Sequence, residues 1–474
     1  MPRHNVVVIL SDEHAAEVLG VEGHRVARTP NLDRLAARGT RFTRAYTPSP
    51  ICVPARAAFA TGRPVHAIGY WDNANAYDGR VRGWGHVLQD HGVRVEAIGK
   101  LHYRAAEDPT GFDAEHLAMH IVNGQGMVWG LVRNPLPVFQ RQAAGMLRPI
   151  GPGTSKYNLY DVAVADRAIA WLNEAPTDQP FVLFVGLVAP HFPLTVPPEW
   201  LALYPPETLP RPRLHPSTGY RRHPWVEDMH VSQPVDDSLN DEERQLALAC
   251  YLGLVSYLDH QVGRILDALA ASPHAQTTRI VYSSDHGDNM GTRGLWGKCV
   301  LYEESARVPL IVAGPGVPAG RVSTTPMNLT DARASLLAAL DVVDEAPDPD
   351  GRDWFAAASA PDDPARLVLS EYHAVGSRTG AFLLADARYK YIHYVGHPPE
   401  LFDLEQDPGE TRSVADDEPY RAVRDAMAAA LHQRLDPEAV SARALADQAQ
   451  MIEHYGGPER ALTLGAPGAS PVPI

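Results

Sequence analysis

Cysteine is scarce in this chain, with 3 among 474 residues. Cys52, Cys250 and Cys299 cannot build a disulfide framework, which points to a reducing compartment. Basic charge also falls short, with 42 Lys and Arg against 57 Asp and Glu and a net charge of −15. That balance argues against nucleic acid or an anionic membrane as partner, and any anion site must be locally positive against the overall field. A long apolar run is missing at the start, where only Val6–Leu10 is continuously hydrophobic. So short a run makes neither a signal segment nor a membrane span, and the expectation is a cytoplasmic protein. No internal repeat is evident. What is present, 45% hydrophobic and 21% charged residues, is ordinary for a soluble globular chain. The length implies one large domain and a smaller one.

Val6–Leu10 reads as a strand covered on both faces, and Ser11-Asp12-Glu13-His14 follows at its carboxyl end. Val93–Ile98 is a second strand, leading into Gly99-Lys100-Leu101-His102. Phe181–Leu187 leads into Ala189-Pro190-His191, Arg279–Ser284 into Asp285-His286-Gly287, and Val308–Ala313 is one more strand. Helices are expected over Pro30–Arg38, ending at Gly39, over Asp161–Leu172, and over Asp241–Ala271. Residues 111–157 and 197–238 lack periodicity and read as loops. Strand–helix alternation to about residue 340 predicts an α/β layer with a mostly parallel sheet. An acidic, proline-rich stretch follows, then three short strands (Leu367–Glu371, Ala381–Leu384, Tyr389–Tyr394) and a helix over Pro419–Arg434. The expected division is a catalytic domain over 1–345, a small antiparallel sheet with a covering helix over 365–440, and a tail over 441–474.

One stretch stands apart, Pro50-Ile51-Cys52-Val53-Pro54-Ala55-Arg56 through Thr61-Gly62-Arg63. Pro54 suits the first turn of a helix, so the spacing predicts a helix starting near Pro54 with Cys52 just before it. Cys52 then faces free backbone N–H groups and the positive end of the helix dipole, and Arg56 can reach back to the same spot. Four strand ends bring further charge: Asp12 and Glu13, Lys100 and His102, His191, and Asp285 and His286. So many ionisable groups at one sheet edge are costly unless something neutralises them. A divalent cation with an anionic substrate would do so. Asp12, Glu13, Asp285 and His286 form a mostly oxygen donor set, suited to Ca²⁺, Mn²⁺ or Mg²⁺ rather than to a closed structural zinc site. A scaffold or binding protein would have no use for charge at four strand ends.

The Cys-x-Pro-Ala-Arg tract with Thr-Gly-Arg resembles the signature of formylglycine-dependent sulfatases of the alkaline phosphatase superfamily. Further matches run in the same order: Asp12-Glu13, Gly99-Lys100-Leu101-His102, His191-Phe192-Pro193, Asp285-His286-Gly287, Lys298 and Leu401-Phe402-Asp403-Leu404. Glu13 departs from the family pattern, which has Asp or Gln there. Within the family, Ile68–Asn73, Gly99–Tyr103 and Ser370–His373 are closest to choline sulfatases, but Val375 replaces an expected acidic residue. A quaternary ammonium would need a cage such as Trp129, Tyr372 and Glu371 could give.

The resemblance implies an alkaline-phosphatase-like α/β/α sandwich. It also implies formylglycine made from Cys52 by a formylglycine-generating enzyme, and one Ca²⁺ or Mn²⁺ held by Asp12, Glu13, residue 52, Asp285 and His286. The hydrated aldehyde would attack sulfur while the metal, Arg56, Lys100 and Lys298 stabilise charge. His191, with Lys298, would protonate the leaving oxygen, and His102 would assist sulfate release. Asn73, Lys100, His191 and Lys298 would contact a small sulfate ester. A phosphonate monoester or phosphodiester hydrolase shares the scaffold and is the nearest rival. A cysteine phosphatase, with C-x₅-R, does not match the three residues between Cys52 and Arg56. Choline-sulfatase-like relatives are oligomers joined through C-terminal segments, so a dimer or tetramer with the tail at a subunit interface is expected.

Overall fold

Eight strands make the central sheet of the chain, seen in a computed structural model that describes residues 3–465 and 470–473. In spatial order they are Arg321–Ser323, Gly39–Phe42, Leu310–Ala313, Thr278–Ser284, Asn5–Asp12, Phe181–Pro190, Arg94–Lys100 and Ala114–Met119. Every neighbouring pair is parallel except those made by Leu310–Ala313, which runs against both its neighbours. The four strands from Thr278–Ser284 to Arg94–Lys100 are consecutive and parallel, so their carboxyl ends share one edge.

Alternation along Asn5–Asp12 splits the core in two. Val6, Val8 and Leu10 pack with Ala57, Phe59, Trp84 and Leu336 on one face. Val7 and Ile9 pack with Leu32, Leu35, Val164, Leu172, Leu258 and Ile265 on the other. Helices therefore cover both faces, Cys52–Thr61 and Ala332–Ala339 on one, Lys156–Glu174 and Asp241–Ala271 on the other. This is the expected α/β/α sandwich. The second sheet is antiparallel, in the order Val368–Tyr372, Ala381–Ala385, Tyr389–Tyr394, Glu400–Asp403. Its Phe382, Leu384 and Leu401 join Met427 and Leu431 of helix Arg421–Arg434 in the first of those cores, so the small sheet shares a core with the large one.

The structure differs from the sequence expectations at several elements, among them two further strands of the central sheet, Gly39–Phe42 and Arg321–Ser323. The small sheet gains a fourth strand, Glu400–Asp403, from the tract that was read only as a motif. Ala114–Met119 and helix Gln140–Met146 lie in the first region read as loops, and helix Pro224–Ser232 lies in the second. Helix Pro437–His454 occupies the start of the stretch expected as tail, opened by Asp436, whose carboxylate accepts from Ala439 N–H. The signature helix begins at Cys52, two residues earlier than expected. Pro54 is then its third residue, which costs nothing because the first turn has no intrahelical use for its N–H groups. Among the described residues, no helix is long and apolar enough to cross a membrane.

Candidate active site

Four parallel strand ends and one buried helix deliver the side chains. Asp12 closes its strand, Lys100 closes the next but one, and His191 and Asp285 follow directly on theirs. Close approach of the strands is needed to bring them together. A Cβ at Gly186 would meet the Lys100 carbonyl oxygen at 2.1 Å, and one at Gly99 would meet the Gly186 carbonyl oxygen at 2.2 Å. Immediately beyond the strands, Glu13 (φ 72°) and His102 (φ 55°) adopt left-handed backbone that non-glycine residues seldom take, a feature that clusters at functional sites. Asp161 holds the His191 turn from below, accepting from Val188 and Ala189 N–H at 2.7 and 2.8 Å.

Cys52 lies at the first turn of a helix whose every residue is buried, and Asn73 Oδ1 accepts from the Val53 N–H at 3.1 Å. The Cys52 thiol stands 3.1 Å from His286 Nε2 and 3.8 Å from Asp12 Oδ1. Burial, with Asp12 adding to it, pushes this thiol up to about 12. Arg56 spends its donors nearby, Nε on Asp285 Oδ2 at 2.8 Å, Nη1 on the Lys100 carbonyl at 2.9 Å and Nη2 on Asp12 Oδ2 at 3.3 Å. It braces the carboxylates rather than facing open space. Lys100 pairs with Asp12, and Lys298 Nζ lies 3.1 Å from Glu13 Oε2. Burial opposes charge on Asp12, yet Lys100, with His191, Lys298 and Arg56, holds its carboxyl well below the usual range.

The donor set fits a divalent cation. Asp12, Cys52, Asp285 and His286 each offer a ligand atom, all within 4.8 Å of one another. His286 Nδ1 faces the Gly287 carbonyl at 3.0 Å, and a carbonyl only accepts, so Nδ1 carries the proton and Nε2 presents its lone pair to the cluster. Glu13 Oε1 is buried and makes no hydrogen bond. Burial, opposed by Lys298 and assisted by Asp288, pushes Glu13 up to about 8. His191 shows the same tautomer logic. Its Nδ1 donates to the Phe192 carbonyl at 2.6 Å, and its buried Nε2 makes no hydrogen bond, 3.5 Å from Glu13 Oε2. Burial and then Lys298 hold this imidazole well below its ordinary value, so it is neutral at rest.

Asp12, Glu13, Cys52, Arg56, Asn73, Lys100, His102, His191, Asp285, His286 and Lys298, singled out from the sequence, lie together here. Two more that sequence reasoning missed also belong to the site. Ser470 Oγ lies 2.9 Å from His102 Nε2, and Tyr157 OH donates to the Ser470 carbonyl at 2.6 Å. Val472 packs against the core beneath. The end of the chain is thus seated on its own site, although Ala466–Ala469 and Ile474, part of the tail considered above, lie outside the described residues. A lone serine in an aperiodic tail carries no sequence signal. Of the cage candidates, Trp129 lines the adjoining cavity, but Glu371 is tied to His66 and His373, and Tyr372 donates to the Val375 carbonyl.

Residues 4–342 match the family model described as Sulfatase. The chain belongs to the sulfatase family. Residues 291–436 also match the C-terminal model described as N-sulphoglucosamine sulphohydrolase. This sulfatase, a hydrolase of sulfuric esters, is 29% identical to the choline-sulfatase of Rhizobium meliloti (strain 1021) over 424 residues, covering 87% of this chain and 82% of that one. It is 27% identical to arylsulfatase K of Rattus norvegicus over 450 residues, covering 88% and 75%. The phosphonate monoester hydrolase of Agrobacterium radiobacter superposes with a TM-score of 0.74 at 24% identity, over 93% of this chain and 96% of that one. The 2-O GAG sulfatase BT1596 superposes at 0.72 and 22%, over 99% and 98%. The fold is alkaline-phosphatase-like, as expected.

Proposed function

We propose that this sulfatase cleaves sulfate monoesters with the side chain at position 52 as nucleophile, after Cys52 has become formylglycine, beside one divalent cation, Ca²⁺ or Mn²⁺. Cys52 itself supports this reading most. A thiol pushed up to about 12 is not a thiolate nucleophile, which argues against cysteine-phosphatase chemistry, yet it stands inside a donor set for a hard cation. An aldehyde hydrate at that position would supply two hydroxyls, one as nucleophile towards sulfur and one whose deprotonation would let the C–O bond to sulfate break and the aldehyde reform. Cys52 is 1% exposed, so conversion by a formylglycine-generating enzyme must precede folding.

Asp12, Glu13, Asp285 and His286 would hold the cation, which supplies Lewis-acid stabilisation of the sulfuryl oxygens. Lys100 and Lys298 add fixed positive charge to the same place. Arg56 keeps Asp12 and Asp285 aligned, and Asn73 orients the first turn of the helix. His191 Nε2 takes a proton as the substrate anion arrives, because a nearby negative charge favours imidazolium, and gives it to the leaving oxygen. His102, neutral through burial and then Lys100, is placed to accept a proton when sulfate departs. A cytoplasmic setting fits three buried free cysteines, and cell fractionation would check it.

Intact mass tests maturation, since conversion of the thiol to the aldehyde removes about 18 Da. Rates with 4-nitrophenyl sulfate then test the chemistry. An unconverted protein with full activity would sink the formylglycine reading. A second reading, phosphonate monoester or phosphodiester hydrolysis, is supported by the same cationic groups around Asp12. Faster turnover of a phenylphosphonate ester than of the matched sulfate would put it first.

A further inference from the structure

A cavity of about 870 Å³ opens from the active site, near the upper end of the ~300–1,000 Å³ that drug-sized ligands occupy. Asn73, Phe192 and Lys298 line it, so its occupant is continuous with the group attacked at position 52. Its walls are apolar and soft, built from Met127, Trp129, Met146, Met229, Trp296 and Leu464. Methionine thioethers adapt to irregular apolar shapes and favour aromatic partners. Trp129, set edge-on to Phe139 at 4.5 Å between centroids, offers a flat surface. Among the described residues, no aspartate or glutamate lines the cavity. Its charged groups, Lys298, Arg141 and Arg148, are all cationic, with Lys298 paired to Glu13 and Arg148 to Glu243 behind the wall.

Resting on the sulfatase reading, we propose that the alcohol half of the substrate is a large, uncharged, apolar group of polycyclic-phenol or sterol size, and that a quaternary ammonium alcohol is disfavoured. A trimethylammonium group would enter a cavity with three cations on its walls and no carboxylate, so only the aromatic rings would replace its lost water. A sugar would leave most of its hydroxyls against methionine and tryptophan. A fused-ring phenol would bury its faces there and present its sulfate to Lys298 and Lys100.

Two matched pairs test this on formylglycine-converted protein. Phenyl sulfate and estrone 3-sulfate leave as phenols of similar acidity, so their ratio reports binding of the body of the molecule. The expectation is a kcat/KM at least about 100-fold higher for estrone 3-sulfate, since even one methylene in an apolar pocket is worth ~10-fold or more. Choline O-sulfate and its carbon isostere, 3,3-dimethylbutyl sulfate, differ only in charge, and the isostere should lead by about 10-fold or more. Leu464→Glu should shrink that lead by about 10-fold, because it sets a carboxylate in the wall. Equal rates in the first pair, or a lead for choline O-sulfate in the second, would overturn the inference while leaving the sulfatase reading intact. If no sulfate turns over, that reading fails, and binding to Cys52→Ala by tryptophan quenching still decides the cavity. A Kd for estrone 3-sulfate about 100-fold below that of phenyl sulfate supports it, and equal values overturn it.

Discussion

Cys52 touches His286 and Asp12 through its sulfur alone, and its replacement by alanine removes one buried atom from a site rather than from a core. Cys52→Ala should therefore cut kcat/KM by more than about 1,000-fold, the usual scale for a lost covalent nucleophile, with an unchanged far-UV spectrum. A residual rate above a tenth of the parent's would refute the nucleophile. Asp285 has two duties, a cation donor and the partner of Arg56 Nε at 2.8 Å. Asp285→Asn should lose bound metal, measured by elemental analysis. It should also lose about 1–3 kcal/mol of stability by chemical denaturation, because the buried guanidinium keeps Asp12 and the Lys100 carbonyl but loses one charged partner. Retained metal at full stoichiometry would remove Asp285 from the ligand set. His191→Ala should slow alkyl and unactivated phenyl sulfates at least about 10-fold more than 4-nitrophenyl sulfate, since a good leaving group needs little protonation. Equal losses would transfer that role to Lys298.

At the scale of elements, the site exists because the strands Phe181–Pro190 and Arg94–Lys100 approach through Gly186 and Gly99. Gly186→Ala would drive a Cβ onto the Lys100 carbonyl, which also accepts from Arg56. The expected cost is about 1–3 kcal/mol in stability, with kcat falling at least about 10-fold as Lys100 and Arg56 shift together. An alanine variant with parental melting temperature and kcat would show that the strands can separate freely. Which elements were legible follows from burial. Parallel strands covered on both faces read as unbroken apolar runs, so Val6–Leu10 and Phe181–Leu187 announced themselves. Ala114–Met119 and Arg321–Ser323 lie at the two edges of the sheet and are partly polar, so nothing in their pattern separated them from loop. Helix Pro437–His454 was missed for another reason, as alanine and polar residues dilute its apolar stripe.

For the whole molecule, the end of the chain matters most. Leu464 accepts from the Trp129 N–H at 3.2 Å, and Ser470 meets His102 at 2.9 Å, so these two residues lie at the site of their own chain. A homo-oligomer stays a proposal. Deleting residues 466–474 should lower kcat/KM about 10-fold, because His102 loses its hydrogen bond with Ser470 and its ring gains freedom. Light scattering should show the same mass as the full chain. A drop in mass would instead place the tail between subunits.

By itself, the sequence determined which charged groups stand at the strand ends and their order along the chain. The residue types at strand ends, a helix starting near Pro54 and the parallel layering are local consequences of apolar runs and turn signals, readable within a few residues. Only the tertiary structure decided how those groups divide the work. Arg56 turned out to brace Asp12 and Asp285, Glu13 to stand beside Lys298, and residues as distant as Met127, Met229 and Leu464 to share one cavity. These choices depend on side chains separated by hundreds of residues competing for the same space and charge, and no local pattern records the outcome.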